Sequence, residues 1–153
     1  MFSRVGTKNY MAPELLEKRP YRGTCVDIFA AGVVLFVMNT GTWPFEKDAS
    51  TNDSIYRYIV EKNPTAFWEA WKKGEEYQKR EPKEVSPEFK DLVFKMLAYN
   101  FNERPTIEEI KEHLFFNNNL PTQEELKAEV MQIKMESVNK RIQLEIKSNI
   151  SEE

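Results

Sequence analysis

The stretch GTKNYMAPE, Gly6 to Glu14, decides how the rest of this 153-residue chain is read. Residues 1–11 mix polarity without any period, so they read as a loop. Pro13 changes the pattern. It has no backbone N–H to lose at the first position of a helix, and its φ is already near the helical value. PELLEK, Pro13 to Lys18, therefore reads as one short helix. Arg19-Pro20 ends it, because a residue before proline avoids the α region.

Working outward, residues 25–40, CVDIFAAGVVLFVMNT, are apolar on nearly every side, which marks a helix buried on most faces. The β-branched Val33, Val34 and Val37 also suit a strand, but the length favours helix. Gly41 stands where a left-handed C-terminal cap belongs, and Trp43-Pro44-Phe45 follows as a tight apolar exit. Asn52 or Asp53 is placed to cap a helix running through Glu61, with Ile55, Ile59 and Val60 on one face. Pro64 opens another, in which Phe67 and Trp71 share a face at i,i+4 spacing. After charged residues 74–85, Ser86-Pro87-Glu88 is a strong helix start, and Phe89, Leu92, Val93, Met96 and Leu97 are its apolar face. Thr106 and Glu109 have capping-box spacing, with Ile107, Ile110, Leu114 and Phe115 expected inward. Thr122 and Glu125 form a second such box, opening a long helix to about Lys147 with a narrow, drifting apolar stripe. With no hairpin signal anywhere, the fold class is mainly α. Residues 1–117 are expected to form one domain and 118–153 a helical extension.

Composition bounds the function. Apolar residues are 41% of the chain and aromatics 12%, enough for a real core. The formal charge of −3 lacks the positive field that general nucleic-acid binding needs. One cysteine, Cys25, forbids an internal disulfide, and with the single His113 it makes a zinc cluster untenable. The N-terminal MFSRVGTKNY has no apolar secretory region, and the apolar run Ile28–Met38 is shorter than a membrane span. A cytoplasmic location is expected, with the nucleus also open, and neither nucleic acid nor membrane as partner.

Taken in order, five pieces resemble the second half of the helical lobe of eukaryotic protein kinases. They are Gly6-Thr7 with Tyr10, Ala12-Pro13-Glu14, Asp27 to Gly32, Pro44-Phe45, and Asn102-Glu103-Arg104-Pro105-Thr106. The resemblance covers residues 1 to about 117, from the end of the activation segment onward. It implies a buried ion pair between Glu14 and Arg104. It implies that Asp27 holds the catalytic loop, and that Gly32 marks close backbone packing. Thr7 points to the serine/threonine class, and Gly6, Thr7, Lys8, Tyr10 and Met11 would face the protein substrate. Ser3, nine residues before Ala12, falls where many members carry an activating phosphate. Phe29 departs from the family, which commonly has Trp there.

Kinase catalysis also needs a Gly-rich loop, a strand lysine, a catalytic-loop Asp and Asn and a DFG Asp to handle ATP and magnesium. None of these motifs is in this sequence. No catalytic residue and no metal ligand is therefore assigned here. ATP and Mg are expected in the complete kinase, not on this chain alone. The chain reads as a fragment completed by a missing N-terminal kinase portion. The alternative is a non-catalytic kinase-like interaction module, with residues 122–147 pairing with a partner helix.

Overall fold

The structure, a computed structural model, describes residues 8–74, 84–117 and 121–150, the side chains of 117 and 144–150 excepted. Among the described residues there are helices and turns and no strand. The chain divides into two compact units, Met1–Asn117 and Asn118–Glu153.

The first unit is built around α2, Gly23–Thr40, preceded by the short α1, Pro13–Leu16. Gly41, at φ 72°, closes α2 in the left-handed conformation and donates its N–H to the Val37 carbonyl. Three further helices follow: α3 (Arg57–Val60), α4 (Pro64–Lys73) and α5 (Pro87–Met96). Both α4 and α5 start on a proline, and each has a side-chain cap, Asn63 accepting from Ala66 N–H and Ser86 from Phe89 N–H.

The core is aromatic and centred on Phe36. Its ring lies 5.6 Å from Trp68 in a stacked pair and 5.3 Å from Trp71 edge-on. Phe67 and Phe89 stand 6.3 Å away on other sides. Each such pair adds about 0.5–1.5 kcal/mol beyond the area it buries. The packing explains why α4 carries aromatics at positions 67, 68 and 71. Trp71 also donates its indole N–H to the buried Thr42 hydroxyl at 3.0 Å. By length and composition α2 is apolar enough to cross a membrane. Here its Phe29, Val33 and Phe36 are fully buried in the first unit's own core.

Three expectations are corrected or narrowed. First, α2 is buried or half-buried around most of its surface, but Thr24, Asp27, Ala31, Val34 and Met38, at helical spacing, leave one side of it open. Second, no helix runs from residue 52 to 61. Asp53 does cap this segment, its Oδ1 accepting from Ile55 and Tyr56 N–H at 3.0 and 2.9 Å, while its Oδ2 accepts from Glu46 and Lys47 N–H at 3.1 and 2.9 Å. Only Arg57–Val60 is helical, and Lys62 at φ 55° ends it.

Third, the segment after Thr106 is two pieces, α6 (Ile107–Glu112) and α7 (Leu114–Asn117). His113 between them is extended, its Nε2 lying 2.9 Å from Asp91 and its Nδ1 accepting from Phe115 N–H. The break turns Ile107 and Leu114 outward, at 55% and 65% exposure, while Ile110 and Phe115 pack inward. The long helix α8 runs Gln123–Ile150, as its capping box and apolar stripe predict. It forms the second unit, opened by the capping box in which Thr122 accepts from Glu125 N–H and Glu125 accepts from Thr122 N–H.

Candidate functional site

Ala12-Pro13-Glu14 is buried although it opens a short, marginal helix. What holds it is Glu14. Its carboxylate takes two parallel bonds from the Arg104 guanidinium, Nη1 to Oε1 at 2.7 Å and Nη2 to Oε2 at 2.8 Å. Both side chains are essentially without exposure, 0% for Glu14 and 1% for Arg104. Two more donors of Arg104 are used: Nε reaches the Ala98 carbonyl and Nη1 the Cys25 carbonyl, each at 2.9 Å. Its carbon lies 4.9 Å from the centre of the Phe29 ring. One guanidinium thus joins α1, the first turn of α2 and the loop after α5. Only arginine has a planar fork with enough donors to do this. The two residues are ninety positions apart in sequence.

The turn before Glu14 is shaped by packing. Lys8–Tyr10 forms a single 3₁₀ turn, closed by Met11 N–H on the Lys8 carbonyl at 3.1 Å. Tyr10 stands edge-on to Trp43 at 5.4 Å, beside the Pro44-Phe45 exit of α2. Lys8 and Tyr10 are exposed and Met11 half-buried, so this turn presents side chains to solvent directly upstream of a rigid anchor. Gly6, Thr7 and Ser3 lie outside the described residues.

Asp27 and Gly32 sit on different sides of α2. Gly32 faces α5: a Cβ added there would stand 2.9 Å from Met96 Cβ and 3.3 Å from a Leu97 methyl. A side chain at this point would force the helices apart. Asp27 lies in the second turn, not the first, and is exposed on the open side.

Several residues at this anchor were not legible from the sequence. Glu17, at the C-terminal cap of α1, accepts from the Tyr99 hydroxyl at 2.9 Å, and that bond raises the Tyr99 pKa. The Arg19 guanidinium lies 5.0 Å over the Tyr99 ring. Tyr56 donates to the Leu97 carbonyl at 2.9 Å, and burial pushes its hydroxyl pKa well up, so it stays a donor. No motif or spacing announces these partners, because each joins segments about forty or eighty residues apart.

The donor set does not fit a nucleotide-bound magnesium. The four aspartates do not form one carboxylate cluster: Asp53 is spent on backbone N–H groups, Asp91 is paired with Lys95 and His113, and Asp27 is exposed on α2. Among the described residues no three carboxylate, imidazole or thiol groups converge. What the site does offer is an exposed turn fixed at one end by a buried, bidentate ion pair.

Comparison with known proteins adds independent weight. The family described as protein kinase domain matches residues 1–116. The chain is 35% identical over 119 residues to serine/threonine-protein kinase SAPK9 of Oryza sativa subsp. japonica. It is 34% identical over 119 residues to serine/threonine-protein kinase SRK2A of Arabidopsis thaliana. Each match covers 78% of this chain and 30% of the relative, so the chain spans about three-tenths of the length of these curated relatives.

Proposed function

Because this chain belongs to the protein kinase domain family, we propose that it supplies the substrate-facing end of a serine/threonine kinase. The observation that carries this is the buried Glu14–Arg104 pair, which fixes the APE segment from the far side of the lobe. Kinase catalysis is mostly positioning and electrostatics, so a rigid platform for the phosphoacceptor segment is a catalytic requirement. Lys8, Tyr10 and Met11, with Gly6 and Thr7 upstream, would form the wall against the substrate. The names of the relatives support the serine/threonine class.

In this reading ATP and magnesium are held by parts of the kinase that this sequence does not include. The exposed Asp27 carboxylate and the open side of α2 suit a surface that the rest of the kinase domain covers. Ser3 is the proposed regulatory phosphosite, since a phosphate there adds charge that arginines can pair. The 153 residues alone would not transfer phosphate.

The test is phosphate transfer from labelled ATP to serine- and threonine-containing peptides by the longest natural protein that carries this chain. Transfer is expected, with Thr7→Ser active and Thr7→Ala reduced at least about tenfold, in line with the loss of one positioning contact. A complete protein that folds but neither transfers phosphate nor is stabilised by ATP–Mg²⁺ would instead be a non-catalytic interaction module.

A further inference from the structure

Helix α8 is amphipathic in an uncommon way. At about 100° per residue, Leu126, Val130 and Ile133 fall on one stripe. Met131, Met135, Val138 and Ile142 fall on the opposite stripe, about half a turn round. All seven are exposed. Two charged rows separate the stripes: Lys127, Lys134 and Arg141 on one side, Glu125, Glu129 and Glu136 on the other. An exposed apolar stripe between an acidic and a basic row is complementary to a copy of itself.

We propose that two copies of this chain pair in parallel through the Leu126, Val130 and Ile133 stripe. In heptad terms Leu126 and Ile133 occupy d and Val130 occupies a; Val at a with Leu at d is the two-strand combination, and Ile133 at d departs from it. This register places Glu129 and Glu136 at g and Lys134 and Arg141 at e. In a parallel pair each g residue meets the e residue five positions on in the other copy. Glu129 then faces the second copy's Lys134, and Glu136 faces its Arg141. An antiparallel pair would set acid against acid and base against base, so the charge rows select the orientation. Glu136 already accepts a bond from Gln132 within its own helix, on one of its two oxygens. Ser137 and Lys140 fall at the next a and d positions, so the apolar seam ends at Ile133, and polar residues there lower stability while holding register.

The opposite stripe lacks this complementarity. Used as a seam, it would set Lys134 and Arg141 against uncharged positions of the second copy, and no flanking ion pair would form. The pairing is independent of the kinase reading, since it rests on α8 alone.

The test uses the 153-residue chain with Cys25→Ser, so that an added cysteine is unique. Val130→Cys and Met135→Cys are oxidised separately and run on non-reducing gels. An a position meets itself only in a parallel pair, so Val130→Cys is expected to form disulfide dimer at least about tenfold more readily than Met135→Cys. In sedimentation equilibrium, Glu129→Lys with Glu136→Lys is expected to weaken self-association at least about tenfold, and mixing it with Lys134→Glu, Arg141→Glu chains to restore it. Equal or greater cross-linking at 135, a monomer at every concentration, or association indifferent to the charge reversals would each overturn the proposal.

Discussion

In the first unit the most strongly charged contact is also among the best hidden, whereas in the second every described side chain of α8 faces solvent. Glu14 and Arg104 have no water to fall back on, so their order depends on each other and on the carbonyls of Ala98 and Cys25. Helix α8 depends on its own backbone ladder, a capping box and local pairs such as Gln132 with Glu136. One unit is specified by contacts distant in sequence, the other by contacts within a turn or two. The same substitution chemistry should therefore have very different reach in the two.

The largest effect is expected at the anchor. Glu14→Ala or Arg104→Ala strands a buried charge, at about 3–5 kcal/mol. Urea unfolding followed by tryptophan fluorescence should report that loss in the first unit, while the helical signal of α8 persists. Next is Gly32→Ala. Helix propensity would favour alanine by about 1 kcal/mol. The added Cβ, 2.9 Å from Met96 Cβ, turns this into a net destabilisation of about 1–3 kcal/mol through overpacking between α2 and α5. A gain in stability would show that those helices slide freely.

A smaller effect separates the units from the other side. Thr122→Ala removes the side-chain half of the capping box of α8, the hydroxyl oxygen that accepts from Glu125 N–H, at about 1 kcal/mol. It should fray the helix by circular dichroism and leave the fluorescence transition of the first unit where it was. The smallest effect is a pH dependence at Asp91. Burial raises its pKa, but hydrogen bonds from Lys95 and His113 outweigh that and hold it below the usual carboxylate value. A carboxyl depressed in the folded state stabilises above its unfolded pKa of about 3.9 and loses that contribution as pH falls through the folded pKa. The wild-type midpoint should therefore drop below about pH 4, with a shallower drop in Asp91→Asn.

Much of this architecture was legible in the sequence because its signals are local. Pro13, Pro64 and Pro87 mark helix starts, Gly41 marks an end, and Thr106 with Glu109 sets a cap. The misreadings arose where a side chain left its own element. Asp53 bonds backward to Glu46 and Lys47, and His113 reaches Asp91, and in each case the helix expected at that point is cut short. The open side of α2 was hidden by its uniform apolar composition, which cannot tell which face meets a neighbour. At the candidate site, the order of motifs paired Glu14 with Arg104. Nothing in it revealed that the same guanidinium also holds the Cys25 carbonyl or lies over Phe29.

The account stands on Glu14 and Arg104 acting as one unit, and a double-mutant cycle in urea tests that directly. Glu14→Ala, Arg104→Ala and the double variant should be strongly non-additive, the second change costing little once the first is made, with a coupling of about 3 kcal/mol. Glu14→Leu with Arg104→Met should recover most of the single-variant loss, because paired apolar residues leave no buried charge behind. Simple addition of the two losses would contradict the account, since the two side chains would then contribute independently and the APE segment would be held by something else.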